Sequence, residues 1–246
     1  MTSIWSSGGG TQSAAIAALI VRGDLPKPDL AAIVDTGWEL SSTWDYHEDV
    51  IHQALRVVGV ELVKVYAEQY RTVGLYSAKG DILIPAFTDD GGKLPTYCST
   101  EWKQRPLRRW ARERYPDADY FEVWLGISLD EARRVKPTDK PWLSRYPIIE
   151  KRLTRADCKA LVESMGWPRP PRSSCYMCPN HTRAEWDAIW RERPNDWMRA
   201  CAFEEDMRDQ DDSLWLTATR KPLQDWSDDG QQDLYAGLCD SGYCFV

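Results

Sequence analysis

The chain has 246 residues, of which 31 are Lys or Arg and 38 are Asp or Glu, a formal net charge of −7. An apolar content of 43% with a mean hydropathy of −0.54 fits a globular chain with a charged surface, long enough to bury a substantial core. No run approaches the roughly 18 apolar residues of a membrane span, and the acidic balance argues against nonspecific duplex binding through the whole-chain field.

The first predicted element is a strand at 2–6. It runs into Ser7-Gly8-Gly9-Gly10-Thr11-Gln12-Ser13, and an apolar helix over 13–22 follows. Three consecutive glycines remove every Cβ from the turn, so backbone N–H groups can close around an anion and adopt φ > 0 where needed. The helix points the partial positive charge of its N-terminus at the same place, and Ser7, Thr11, Gln12 and Ser13 add side-chain donors. A phosphate or pyrophosphate suits such a loop; an ordinary glycine-rich turn without a ligand is the competing reading. The loop is not a Walker A, because no Gly-Lys-Ser/Thr follows the glycines. Nor is it the G-x-G-x-x-G of a dinucleotide fold.

A buried strand at 31–35 ends in Asp35 and is followed by Thr36-Gly37. Helix 43–58 and strand 61–65 complete a βαβαβ opening, which implies a parallel sheet with right-handed crossovers. Gly80 to Thr96 is rich in Gly, Pro and Asp and reads as a loop or lid leading to Cys98. A basic helical segment, Lys103 to Arg114, precedes a strand at 121–125 that ends at Gly126. From Pro147 the pattern turns helical: Thr154 caps a helix reaching Gly166, and another spans 195–209. Pro168, Pro170 and Pro171 enforce an extended approach to Cys175-Tyr-Met-Cys178. The expected fold class is α/β, a doubly wound parallel sheet of Rossmann-like type with a helical C-terminal part. A nucleotide-binding core over 1–146 and a helical region with the C-x-x-C and a cysteine-containing tail over 147–246 are expected to form one compact unit. Ligands of such sheets gather at the carboxyl edge.

Seven cysteines, an odd number, without a basic-then-apolar leader, make a disulfide framework unfavourable and a reduced, cytoplasmic setting the expectation. Metal or redox chemistry is then the default for the C-x-x-C, whose tight turn brings both sulfurs to one side. Cys158 and Cys201 fall in helices and read as buried residues. Most of the 13 tryptophans read as packing residues, and arginine stems are expected to lie against several of them (Trp102, Trp110, Trp190, Trp197). The cluster Lys103, Arg105, Arg108, Arg109, Arg112 and Arg114 reads either as a solvated helix face or as a groove for polyphosphate, a phosphosulfate or a nucleic-acid strand.

Three segments in order resemble the phosphoadenosine-phosphosulfate (PAPS) reductase-like branch of the adenine-nucleotide α-hydrolases, the pyrophosphate-loop (PP-loop) ATP pyrophosphatases, in a form similar to phage members. The usual loop is S-G-G-x-D-S; aligned on Ser13, Gly8 replaces the first serine and Gln12 the acid. Asp35-Thr36-Gly37 is followed by Ser42-Thr43 where the reductases carry D-T-G and then E-T. The segment from Gly126 to Arg134 resembles G-I-R-x-x-E-S-x-x-R. Glu131 matches in place, Ser128 replaces an arginine, Ala132 replaces the serine, and Arg134 falls one residue short of the last arginine, where this chain has Val135. The resemblance implies that Ser7, Gly8, Gly9, Gly10, Thr11, Gln12, Ser13, Asp35, Thr36, Gly37, Gly126, Glu131 and Arg134 bind the nucleotide.

A fourth segment, Cys98 to Leu107 with Lys103 and Pro106, resembles the C-C-x-x-x-K-x-x-P-L of the iron–sulfur phosphosulfate reductases, Ser99 replacing the second cysteine. The resemblance would place Cys98 near Cys175 and Cys178 and implies a 4Fe–4S cluster with one iron open or bound by a non-cysteine group. Three alternatives stand beside it: Zn²⁺ held by these three with His181, Cys239 or Cys244 as fourth ligand, and a metal-free thiol set. For His181, capping or holding a ligand in place competes with ligation. PAPS reductases act through a cysteine on a C-terminal tail, and Cys244 occupies a comparable position among different neighbours.

The function this implies is adenylation by ATP with Mg²⁺, followed by sulfur transfer to a nucleic-acid or small-molecule acceptor, with Ser13 and Lys103 as candidate catalytic residues. The alternative is reduction of PAPS or adenosine phosphosulfate (APS) with attack by Cys244 and release of sulfite. A second alternative is a nucleotide-binding module without turnover, supported by Gln12 in place of the acid. Expected partners are an adenine nucleotide, a nucleic acid or sulfur-donor protein, and a second copy of the chain; no membrane is expected.

Overall fold

The computed structural model describes residues 1–137 and 139–227. They divide into two units: Met1–Tyr70 with Lys103–Ser173, and Arg71–Trp102 with the described residues from Ser174 onward. Neither unit is a continuous segment, so the chain is partitioned differently from a single cut at residue 146.

In chain order the elements are β1 (Thr2–Ser7), α1 (Thr11–Arg22), β2 (Leu30–Asp35) and α2 (Ser41–Tyr46), which passes through a π-helical turn, His47–His52, into α3 (Gln53–Val57). Then come β3 (Leu62–Tyr66), α4 (Ala67–Tyr70), β4 (Phe87–Thr88), and a second π-helical turn, Thr100–Gln104, that continues as α5 (Arg105–Arg114). β5 (Phe121–Leu125), a 3-10 turn at Leu129–Arg134, β6 (Trp142–Arg145), α6 (Pro147–Glu150), α7 (Arg155–Ser164), α8 (Arg183–Glu192), α9 (Pro194–Gln210) and β7 (Leu214–Trp215) follow.

The first unit is built on a five-stranded sheet of order β3-β2-β1-β5-β6 in which every pairing is parallel. Strand residues alternate between two apolar layers, as the period of two requires. Trp5, Ala31 and Trp124 pack with Ala14, Ala17, Leu55, Cys158 and Val162 from α1, α3 and α7. Ile4, Leu30, Ala32, Val34 and Phe121 pack with Leu107 and Ala111 of α5 on the opposite face. Helices therefore cover both faces, and the doubly wound parallel α/β fold expected from the sequence is the fold found. The alanines of α1 at 14, 15, 17 and 18 are fully buried; small side chains there let the helix approach both the sheet and α7. Thr154 caps α7 as expected, accepting from the Asp157 N–H (3.2 Å) while Asp157 accepts from the Thr154 N–H (2.8 Å).

The edge strand β6 was not anticipated. Its Trp-Leu-Ser-Arg has no apolar run, and it is held by its pairing with β5 and by the Phe121–Trp142 ring stack (4.4 Å between centroids). In the second unit, Phe87 pairs with Trp215 in a short antiparallel ladder, and α8 packs beside α9. Trp186, Trp197 and Trp226 form a ring cluster. Glu204 of α9 is buried and accepts from the Leu216 and Leu223 N–H groups (3.2 and 2.5 Å), which ties down the chain after β7. No helix of the described residues is long and apolar enough to cross a membrane.

Burial pushes the Cys158 thiol up to about 12 and the Cys201 thiol up to about 11. Because the thiolate is the reactive form, iodoacetamide at pH 8 should alkylate Cys201 on the order of 100-fold, and Cys158 on the order of 1000-fold, more slowly in the folded chain than in urea. Peptide mass mapping over time measures this; Cys158 is buried as expected whereas Cys201 is only half-buried, and equal rates in the two states would contradict these placements.

Candidate functional site

β1 ends at Ser7, and three glycines carry the chain to α1 at the carboxyl edge of the sheet. Gly9 has φ +75°, a left-handed conformation that costs other residues about 1–2 kcal/mol. A Cβ on it would also lie 2.7 Å from Thr43 Cγ2. At Gly10 a Cβ would lie 3.2 Å from Ser173 Cβ, and the Ser173 hydroxyl donates to the Gly8 carbonyl. The loop is thus enclosed by Thr43 of α2 and by the Pro171–Ser173 segment, neither of which could take its place against a loop with side chains.

Two hydroxyls hold the loop from within. The Gly8 N–H donates to Ser13 Oγ (2.8 Å) and the Gly9 N–H to Ser7 Oγ (3.3 Å). A hydroxyl that accepts one bond still has its own proton to give, so both serines retain an O–H for a ligand. The first bond of α1 runs from the Ala14 N–H to the Gly10 carbonyl (2.9 Å). No side chain caps the helix and no acid lies in its first turn. The amides of Thr11, Gln12 and Ser13 therefore begin the helix uncapped, with the macrodipole aligned behind them, which is the arrangement that receives an anion.

Gln12 turns away from the loop axis. Its Nε2 donates to Glu131 Oε2 (2.9 Å) and approaches Ser128 Oγ (3.4 Å). The Ser128 hydroxyl donates to the same Glu131 oxygen (3.1 Å), and Arg134 donates to the other, Oε1 (2.9 Å). Glu131 is 6% exposed; Arg134 balances its charge, and Gln12 and Ser128 hydrogen-bond its other oxygen. Gly126 makes the contact feasible: a Cβ there would stand 3.2 Å from that of Gln12.

On the other side of the loop, Asp35 accepts from the Gly37 N–H (2.8 Å), with Gly37 at φ +81°. Thr36 Oγ1 approaches Glu39 Oε1 (3.4 Å) and accepts from the Trp38 N–H (3.2 Å). Glu39 is the residue the sequence reading missed. Only 3% exposed, it meets Lys103 Nζ at 2.7 Å, so the π-helical turn before α5 is tied to the end of β2. Flanking Trp38 and Leu40 were the available signal that this acid is buried.

The loop, Asp35, Thr36, Gly37, Gly126, Glu131, Arg134 and Lys103 all belong to the first unit. At this edge Glu131 accepts from three donors, Glu39 meets Lys103 and Thr36 through Oε1, and Asp35 accepts from the Gly37 N–H through Oδ1. Among the described residues no group of three or more His, Cys, Asp or Glu side chains is placed to hold a metal ion.

Cys98, Cys175 and Cys178 all belong to the second unit, each half-buried. The C-x-x-C forms a tight turn in which the Cys175 carbonyl accepts from the Cys178 N–H (3.1 Å). His181 Nε2 lies 2.9 Å from that same carbonyl, and its ring meets Trp186 edge-on (4.7 Å). The imidazole thus holds the turn, and the described residues do not gather the expected ligands around one point. Cys239 and Cys244 lie outside the described residues.

The basic cluster of α5 is largely occupied by its own surroundings. Arg108 lies over Trp142 (5.3 Å), and Arg112 over Phe121 and Trp142 (5.3 and 5.7 Å) while donating to the Ala118 carbonyl (3.2 Å). Arg109 donates to the Tyr70 carbonyl, and Arg114 lies over Tyr115.

No protein-family model matches the chain, and no curated protein matches it. Among solved structures it is similar to the U34-tRNA thiolase NcsA from Methanococcus maripaludis with its 4Fe–4S cluster, at 14% identity and a TM-score of 0.46, over 85% of this chain and 72% of that one.

Two expectations follow from the site. Gly9→Ala should destabilise the fold by about 1–3 kcal/mol, and Thr43→Ser, which deletes the clashing methyl, should recover part of that loss in a double-mutant cycle read by urea unfolding; additive effects would mean the contact is absent. Lys103→Met should cost about 3 kcal/mol by leaving a buried carboxylate unpaired, and adding Glu39→Gln should restore stability. If the double variant is less stable than Lys103→Met alone, the pair is not a coupled unit.

Proposed function

We propose that the chain binds an adenine nucleotide in the 7–13 loop and catalyses attack of an acceptor oxygen on the α-phosphorus. The bond to the leaving pyrophosphate breaks, and the acceptor is left as an adenylate that a sulfur nucleophile then displaces, releasing AMP. The observation that carries this reading is the uncapped, acid-free start of α1 facing a loop whose serine hydroxyls retain their protons. Charge developing on the leaving pyrophosphate would be met by the amides of Thr11, Gln12 and Ser13 and by the hydroxyls of Ser7 and Ser13. Lys103, aligned by Glu39, would add an ammonium at the same sheet edge. The purine and ribose would lie along the ends of the neighbouring strands, where Thr36, Gly37 and Gly126 keep the backbone accessible.

The sulfur-transfer part of the proposal is supported by the cysteine motifs. Cys98, Cys175 and Cys178 are the residues proposed to carry iron–sulfur chemistry, and the adenylation step stands independently of it. Reduction of PAPS or APS would need a thiol such as Cys244.

The test uses full-length protein purified without oxygen. ATP should bind and be converted to AMP and pyrophosphate when an acceptor is supplied from size-fractionated RNA or small-molecule extracts, and Ser13→Ala should lower binding by about tenfold or more. Iron and acid-labile sulfide should be present and be lost in Cys175→Ala. ADP and phosphate as products, or sulfite from PAPS without pyrophosphate from ATP, would overturn the adenylation reading. Zinc without sulfide would remove sulfur transfer from it.

A further inference from the structure

We propose that a surface beside the loop, formed by the segments that follow β5 and β6, holds the sugar–phosphate backbone of a single nucleic-acid strand. This deepens the reading above by making that strand the acceptor. The chemistry rests on that reading; the binding of the strand does not.

Residues 129–136 follow β5 and residues 146–155 follow β6, and parallel pairing brings both out at the same end of the sheet as the loop. The two segments are fastened to each other. The Leu129 N–H donates to the Leu153 carbonyl (2.8 Å) and the Arg155 N–H to Asp130 Oδ1 (3.0 Å). The Tyr146 hydroxyl accepts from the Lys136 N–H (3.2 Å) and donates to the Lys136 carbonyl (3.3 Å). The contact of Gln12 with Glu131 (2.9 Å) ties the first segment to the loop.

These segments carry Arg133, Arg134, Lys136, Lys151, Arg152 and Arg155 against three acids, in a chain whose net charge is −7. Glu131 is paired with Arg134, and Glu150 with Arg145. Arg133, Lys136, Lys151 and Arg152 are exposed. Positive charge is thus in excess at this place, on a chain that would otherwise repel a polyanion. Arg152 is a separate signal. It follows the last turn of α6 with φ +56°, a conformation that glycine adopts at least cost. Its side chain is exposed and, among the described residues, pairs with no acid. No contact within the unit offsets that backbone, whereas a phosphate arriving from solvent would.

The cations are spread along two segments, which suits a ligand charged at regular intervals better than a single phosphate. Leu129 and Val135, both exposed, lie among them and offer the bases an apolar surface. A single strand can bend to follow such a track. A stiff duplex would carry its second row of phosphates against the acidic remainder of the chain.

Fluorescence anisotropy tests this, with full-length protein titrated into a labelled mixed-sequence RNA strand of about 12 nucleotides, its DNA counterpart and the matching duplex. One of the single strands should bind about tenfold or more tightly than the duplex, and the tighter of the two identifies the sugar. The logarithm of its association constant should fall against the logarithm of salt concentration with a slope of about −3. Lys136→Ala, Lys151→Ala and Arg152→Gly combined should weaken binding by about tenfold or more and reduce the slope to about −1. Arg152→Gly alone, which relieves the backbone, should cost about threefold in affinity and none in stability. Unchanged affinity in these variants, or a duplex bound as tightly as the strand, would overturn the proposal. Poly-glutamate bound as tightly would overturn it too, by assigning the surface to an acidic protein. Calorimetry with ATP separates the two readings: ATP binding without strand binding removes this proposal alone, and strand binding without ATP binding removes adenylation and leaves the surface standing.

Discussion

A helix that starts without a cap presents its first amides to whatever occupies the loop before it, and this deficit organises the carboxyl edge of the sheet. Gly10, the residue at the cap position, has no side chain to close α1, and a Cβ there would crowd Ser173 at 3.2 Å. The two nearby hydroxyls that could have bonded these amides instead accept from Gly8 and Gly9 and hold the loop's shape. The left-handed turn at Gly9 brings the backbone against Thr43, which fixes how α2 begins relative to α1. None of these contacts is strong alone. Together they leave one conformation for the loop and direct its polar groups to one point.

The sheet order makes the electrostatics around that point symmetrical. β1 is central, flanked by β2 and β5, so the loop after β1 lies between the segments that follow its two neighbours. Each segment carries a buried carboxylate, Glu39 on one side and Glu131 on the other. A carboxylate so far from water is tolerated only when paired and hydrogen-bonded. Glu131 is bonded locally and by the loop itself, whereas Glu39 is paired through Oε1 with Lys103, remote in sequence. The pairings therefore bind the loop to the β5 side and the start of α5 to the β2 side. Removing either would loosen the edge as well as change its charge.

How far this was legible in the sequence follows from the range of each interaction. The loop, α1, β2 and β5 were readable because local patterns define them: three glycines, an alanine-rich helix and apolar runs of strand length. β6 was not, since four mixed residues become a strand only by adding to β5 and stacking Trp142 on Phe121. Gln12 could be recognised as a departure from an acid, but its meaning lay in Glu131, 119 residues away. Ser128, another departure from the same pattern, touches the same carboxylate, so the two departures meet at one residue. Glu39 escaped notice because its partner approaches through a π-helical turn that no periodicity announces. The 71–102 segment joins the described residues from Ser174 onward in a separate unit, a long-range association that a linear partition at residue 146 has no means of expressing.

The arginines of α5 show how composition can mislead in the opposite direction. Read along the chain, they form a dense positive stripe suited to phosphate. In the structure Arg108 and Arg112 lie across Trp142 and Phe121, aromatic residues of the sheet beneath the helix, and Arg109 and Arg112 also donate to backbone carbonyls. A guanidinium is weakly hydrated and planar, so it can cover an aromatic face while its edge stays in water. That use serves a parallel sheet whose last strand is short: the stacked side chains shield β5 and β6 where few other residues would. Lys103 and Arg134 lie at the carboxyl edge of the sheet, and both are held by acids. The polarity of the site therefore arises mainly from backbone amides, and what the loop accepts depends more on their geometry than on the number of basic residues nearby.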